Sequence, residues 1–274
     1  MKKFLIVMFA MLLVLFVSCT QEAENPAPQP EPATDPVTDP VTDPVTDPEP
    51  EVKEYKIGDR GPAGGYIFYD CDADNDKEYN DGLKSSECNW RYLEAAPADL
   101  RLVSGKPTID ASAEGYESGT ETFVFGYYYV NNNPAFVNGE KTYDASNCTL
   151  STLGSGKENT SKLVKAMGEN AYLQNSAMSD STSEYTARLC DILESKYNGE
   201  TYDDWFLPSR DELSAMISVL RSVVDLDSNS YSSSSECTAT TCYFQNVGSL
   251  SFNSTNRGTS SMLSIRPIRA FLND

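Results

Sequence analysis

The chain contains no histidine. That absence removes the Ser/His/Asp and Cys/His arrangements of nucleophilic catalysis, histidine-ligated metals, and the side chain that ordinarily titrates near neutral pH. Any catalysis would have to run on carboxylates, Tyr, Lys or Ser. Basic residues are also scarce: 21 Lys and Arg stand against 41 Asp and Glu, a net charge of −20. A chain this acidic repels phosphate backbones and heparin-like polymers, which excludes nucleic acid as a partner held by bulk charge, and it attracts cations. There is no Cys-x-x-Cys pair, so a zinc site of ordinary spacing is not expected. Apolar runs long enough to span a membrane are missing too. The longest, Phe4–Val17, has about 14 residues against the ~20 that a spanning helix needs.

That short run is informative by its flanks. Lys2 and Lys3 precede it and Ser18-Cys19 follow it, the order of a cleaved export signal. Leu15-Phe16-Val17-Ser18-Cys19 resembles a lipobox, with Phe16 where Leu is usual. Residues 1–18 are therefore expected to be a lipoprotein signal peptide and Cys19 the lipidated N-terminus. Each buried methylene of an acyl chain contributes ~0.8 kcal/mol, so two or three chains hold a soluble domain at a membrane. Thr20, not Asp, follows the cysteine, which in the enteric sorting rule favours the outer membrane; which face of the envelope is occupied stays open. Residues 19–54 then read as a tether. Pro, Asp, Glu and Thr dominate, aromatics are absent, and a Thr-Asp-Pro-Val unit recurs from Thr34 to Pro48. Such a segment cannot bury enough apolar surface to become ordered, and in extended form it reaches on the order of 100 Å.

Residues 55–274 are long enough for one globular domain. Removing the tether's ten acids and one lysine and the signal's two lysines leaves 31 acids and 18 bases here, a net of −13. Of seven cysteines, six follow Cys19: Cys71, Cys88, Cys148, Cys190, Cys237 and Cys242. An even number in an exported chain predicts three disulfides. Pairing neighbours gives Cys71–Cys88, Cys148–Cys190 and Cys237–Cys242, although other connectivities remain open. Tyr66–Tyr69, Trp90–Leu93, Tyr231–Cys237, Cys242–Val247 and Ser264–Phe271 read as strands. Ser161–Leu173 and Ser183–Tyr197 read as helices, the second closed by Asn198-Gly199. Ser209-Arg210-Asp211-Glu212 is a capping box that opens a helix to about Val224, with Leu213, Met216, Ile217 and Leu220 on one face. Helices beside several short strands predict an α+β fold. Gly58–Gly65 is a turn cluster; it lacks the Gly-Lys-Ser/Thr ending of a phosphate loop.

Several stretches carry a resemblance. They are Gly61-Pro62-Ala63-Gly64-Gly65 with Ile67-Phe68-Tyr69, Trp90-Arg91-Tyr92-Leu93-Glu94-Ala95-Ala96-Pro97, Gly154–Thr160, Asp204–Leu213 and Arg266-Pro267-Ile268-Arg269-Ala270-Phe271. Together they resemble the Lcl C-terminal domain family, exported bacterial domains typified by the end of a collagen-like adhesin. The resemblance implies a single C-type-lectin-like domain in which the first and last strands meet, and a binding or adhesion role without enzymatic activity. Two departures stand out. Tyr231 is followed by Ser232 where the family has Trp, and the acidic charge argues against the sulfated polymers some members bind.

Three groups of residues are candidate sites. Asp70, Asp72, Asp74, Asp76, Glu78 and Asp81 approach the spacing of a calcium loop, whose hard cation takes six to eight oxygens; the alternative is an acidic hairpin tip. Tyr127, Tyr128 and Tyr129 offer ring faces and hydroxyls for a ligand, with a buried strand as the alternative. Asn256 and Arg257 sit in a Ser/Asn/Thr-rich stretch, Ser249–Ser261, that reads as a binding loop or a plain solvated one. Asp203-Asp204 beside Trp205 would be a carboxylate pair for glycoside chemistry, but adjacent residues rarely face each other. The expected function is a lipid-anchored binding or adhesion module for a carbohydrate or protein ligand. Hydrolysis of extracellular glycans and a structural envelope role are the alternatives.

Overall fold

The computed structural model describes residues 53–71, 89–117, 121–126, 149–172, 181–224, 226, 230–238, 240–248, 251–257 and 263–272. The signal, Cys19 and most of the tether lie outside these residues. In chain order come strands β1 (Tyr66–Asp70) and β2 (Tyr92–Ala95), then the hairpin β3 (Arg101–Val103) and β4 (Lys106–Thr108). Helix α1 (Gly156–Met167) follows, then the short pair β5 (Ala171–Tyr172) and β6 (Ser181–Thr182), and helix α2 (Thr186–Asp191). Next are the hairpin β7 (Ser195–Tyr197) and β8 (Glu200–Tyr202) and helix α3 (Arg210–Leu220). Strands β9 (Ser230–Glu236), β10 (Thr241–Asn246), β11 (Phe252–Asn256) and β12 (Ile268–Phe271) end the order. The fold is α+β, as the mixture of short strands and helices implies.

One three-stranded antiparallel sheet has the order β1-β2-β12, which lays the last strand beside the second. Ala95 faces Tyr66 on one side and Ile268 on the other. Its central strand is buried throughout, as a strand covered on both faces must be. A second antiparallel sheet, β11-β10-β9, is a meander. Helix α3 packs against β1, β9 and β10. Its capping box is closed: Ser209 Oγ accepts from Glu212 N at 3.3 Å, and Glu212 Oε2 accepts from Ser209 N at 2.6 Å. Leu213, Met216, Ile217 and Leu220 recur at helical spacing and join Phe68, Leu93 and Ile268 in one apolar cluster. Burying each such side chain contributes about 1.5–3 kcal/mol. Leu163 of α1 and Ala187, Leu189 and Cys190 of α2 form a second cluster with Phe125, Trp205 and Ile265.

Several boundaries differ from the sequence reading: α3 ends at Leu220 rather than near Val224, β2 covers Tyr92–Ala95 rather than Trp90–Leu93, and four further differences have a clear cause. The helix expected over Ser183–Tyr197 shrinks to the six residues of α2. Asn198 (φ 51°) and Gly199 (φ 90°) do not close a helix; they are the two left-handed residues of a tight hairpin turn between β7 and β8, with Tyr197 opposite Glu200. Helix α1 starts five residues earlier than expected and stops at Gly168 (φ 69°), a left-handed stop signal. The stretch Ser249–Ser261, read as a loop, contains β11, whose exposed polar side chains hid a strand on the rim of a sheet. The strand expected over Ser264–Phe271 narrows to β12, because Pro267 has no N–H for the ladder.

Candidate functional site

The buried charges among the described residues explain much of the motif pattern. Glu94 in β2 is fully buried and accepts from Ala63 N (3.1 Å), Gly65 N (2.7 Å) and Arg269 Nη1 (3.1 Å). Arg269 also forks onto Asp204 at 2.8 and 2.9 Å. A Cβ at Gly61 would strike the Glu94 carboxyl, and one at Gly65 would strike Ala95 O, so the glycine-rich turn wraps the carboxylate with bare backbone. Burial pushes the Glu94 carboxyl up, against the Arg269 charge and the two amides that hold it down. Asp204 is thus engaged structurally. Trp205 is buried with Nε1 donating to Ser195 Oγ at 2.9 Å, and Arg269 occupies both oxygens of Asp204.

Other buried acids are held in the same way. Asp99 lies 2.7 Å from Arg266 Nε and accepts from the Tyr231 hydroxyl, 3.0 and 2.8 Å from its two oxygens. Glu236 pairs with Arg257 at 2.6 Å and accepts from Thr149 N at 3.1 Å. Arg257, expected on a binding loop, is instead completely buried, its guanidinium shared between Glu236 and the carbonyls of Thr238 and Thr241. Burying a guanidinium requires this full set of acceptors, so it is not offered to a ligand. Asn256 is the half-buried last residue of β11, opposite Thr241. The serines of β9 are buried as well: Ser233, Ser234 and Ser235 donate to the carbonyls of Tyr243, Pro208 and Leu150 at 2.8, 3.1 and 2.7 Å.

Of the proposed calcium ligands only Asp70 is among the described residues. It is buried at the end of β1 with its two oxygens 3.2 and 3.4 Å from Arg91 Nε and Nη2. Asp72, Asp74, Asp76, Glu78 and Asp81 lie outside the described residues, as do Tyr127, Tyr128, Tyr129, Cys88 and Cys148. Cys71 is disulfide-bonded. Among the described residues Cys190, Cys237 and Cys242 form no disulfide, which corrects the expected Cys237–Cys242 staple and the bond to Cys190. The register gives the reason. Cys242 pairs with Glu236, so Cys237, one residue on, turns to the opposite face beside Tyr243, while Cys242 Sγ points towards Thr255 O at 3.8 Å. Cys190 is enclosed in the second apolar cluster, where burial raises its thiol well above the ordinary range.

Two of the clefts on the surface of the described residues bear on a ligand site. One, about 540 Å³, lies between the Gly61–Gly65 turn and the β7–β8 turn, with Arg60, Asp110, Lys196 and Tyr197 among its walls. The other, about 470 Å³, lies where the β1-β2-β12 sheet meets the start of α1. Leu93, Phe206 and Ala270 give it an apolar floor, and Trp90 stands half-exposed at one wall, its ring edge-on to Tyr69 at 5.9 Å. Asn89 and the exposed α1 residues Lys157, Glu158 and Ser161 supply donors and acceptors around it. Beneath them Glu212 fastens the wall, since its Oε1 accepts from Gly154 N at 3.0 Å while Oε2 accepts from Ser209 N. A Cβ at Gly156 would strike that carboxylate. The cleft therefore draws on the stretches around Trp90, Gly154, Phe206 and Ala270, which are remote in sequence. Trp90 and Lys157 were visible in the sequence as parts of motifs; Asn89 and Ser161 were not, because polar surface residues carry no local signature of a shared cleft.

Comparisons with protein-family models, with curated proteins and with solved structures found no match to this chain.

Proposed function

We propose that the chain is a lipid-anchored protein of the bacterial cell envelope whose domain, residues 55–274, is a non-enzymatic, lectin-like binding or adhesion module. In this reading Cys19 carries the lipid, the Pro-rich segment spaces the domain from an outer membrane, and the domain is of the Lcl C-terminal type. The observation that carries it is the engagement of the buried acids. Asp70, Glu94, Asp99, Glu212 and Glu236 are each held by an arginine or by backbone amides. A glycan hydrolase requires two carboxyl groups ~5–9.5 Å apart across a substrate cleft. In the Trp90 cleft Glu212 has both oxygens occupied by N–H groups, and Glu158 at the rim is paired with Lys162 at 2.7 Å. An aromatic wall with a polar rim is suited to holding a ligand rather than cleaving it.

The test uses the full chain in detergent on combined glycan and matrix-protein arrays, with product analysis of each bound glycan, alongside cell fractionation of Cys19→Ala. The expected results are saturable binding, unshortened glycans, and loss of the variant from the membrane fraction. Shortened glycans, or no binding to any arrayed molecule, would overturn the module; an unprocessed wild type with no lipid would overturn the anchor.

A further inference from the structure

We infer that the Trp90 cleft binds a pyranose ring of an uncharged glycan; this rests on the binding-module reading and names its site and ligand class. A pyranose is amphipathic: its axial C–H groups make an apolar face, and its hydroxyls project from the edge as paired donors and acceptors. The cleft has the complementary division. Trp90, Phe206 and Ala270 are its apolar surface, and Asn89, Lys157 and Ser161 ring it with a carboxamide, an ammonium and a hydroxyl. An indole supplies the large, rigid face that C–H groups stack on.

Size and charge narrow the ligand. A volume of about 470 Å³ is in the range of small-ligand sites and admits a sugar ring with room for its linkage, not a folded protein element. The lining mixes both signs, Lys157 beside Glu158, which Lys162 holds at 2.7 Å, with Glu212 beneath, so the cleft presents no block of one charge to select an ion. The walls are also fixed in advance. Glu212 ties the turn before α1 to the start of α3, and β2 carries Leu93 beside Ala270 of β12 in direct register. A preformed cleft loses little freedom on binding, which matters for a ligand that offers few contacts. Trp90 is one of only two tryptophans, and the other, Trp205, is buried in the core, so sugar-dependent changes in indole emission report on this cleft.

The full chain in detergent is titrated to millimolar concentration with uncharged oligomers of glucose, mannose, galactose, xylose and N-acetylglucosamine, read by tryptophan emission and calorimetry. At least one series is expected to bind saturably and to change the emission. Trp90→Ala should weaken that binding tenfold or more and Trp90→Phe less. Ser161→Ala and Lys157→Ala, on the exposed rim, should weaken it several-fold and keep the test valid if Trp90→Ala does not fold. Lys196→Ala, at the other cleft, should bind as the wild type does. Uncharged glycans bound equally by wild type and all four cleft variants would overturn the site and leave the module standing. Binding only of charged glycans or proteins would do the same. Binding of nothing here or on the arrays would overturn both.

Discussion

Glu212 stands at the start of two helices at once. Its carboxyl caps α3 through Ser209 and receives the amides that precede α1, yet burial outweighs these bonds and pushes it up to about 7. The folded value lies above the unfolded 4.5, so the folded protein holds this proton more tightly. The resulting stabilisation is complete below about pH 4.5 and is lost as pH rises through about 7. For a fully buried group the gap corresponds to about 3 kcal/mol. Melting of wild type and Glu212→Gln between pH 5 and 8 checks this: the wild type should lose ground to the variant as pH rises, and a constant difference would contradict it. Gln245 poses the opposite case. It is buried in β10, and among the described residues neither its Oε1 nor its Nε2 has a hydrogen-bond partner. An unsatisfied buried polar group costs about 1–3 kcal/mol, so Gln245→Leu is expected to raise the midpoint in urea, with a lower midpoint counting against it. Neither residue announces its state in sequence. Glu212 is readable as a capping-box partner, but its second role needs Gly154, 58 residues away.

At the scale of elements, α3 was legible because every signal for it is local: the cap, the acidic first turn and the apolar stripe all fall within twelve residues. Ser209→Ala removes the cap and should destabilise the protein by about 1 kcal/mol, seen as an earlier urea midpoint with unchanged slope. The β7–β8 hairpin was misread because Asn-Gly serves both as a helix stop and as a hairpin turn. Which one forms depends on whether the following residues find a strand partner. Gly199 offers a clean test of the turn. Its φ is 90°, and a Cβ there would touch nothing within 4 Å, so Gly199→Ala adds backbone strain without a clash. A loss of about 1 kcal/mol is expected from the left-handed conformation, and an unchanged melting temperature would show that the turn relaxes. Strand β11 escaped notice for a different reason. Apart from Phe252 the strand Phe252–Asn256 is polar, and none of it is fully buried, so no alternating apolar face marks it.

Across the whole molecule, the thiols separate the exposed surface from the core. Cys237 is half-buried, while Cys190 and Cys242 are enclosed, and burial pushes the Cys242 thiol up to about 12. In the native protein a thiol reagent should therefore label Cys237, reaching Cys190 and Cys242 only after unfolding. Peptide mapping after alkylation decides it; a Cys237–Cys242 cross-link in the unreduced digest would contradict the register. The same whole-chain view explains the closing sheet. Glu94, Arg269 and Asp204 lie up to 175 residues apart, and their ion pairs form only when β12 docks against β2.

The amino-acid sequence by itself determined what depends on neighbours along the chain. Composition excluded histidine chemistry, and local pattern specified α3, β1 and the serine-rich strand, since caps, periods and turns act within a few residues. Only the tertiary structure decided where the charges went. Arg257 reads as a loop residue but lies in the core because Glu236 and two carbonyls surround it there. Asn89, Trp90, Lys157 and Ser161 become one cleft because Glu212 and the β2–β12 pairing bring their elements together. Burial and long-range pairing set the energy of a buried charge or a shared cleft, and neither is written in the spacing of residues along a chain.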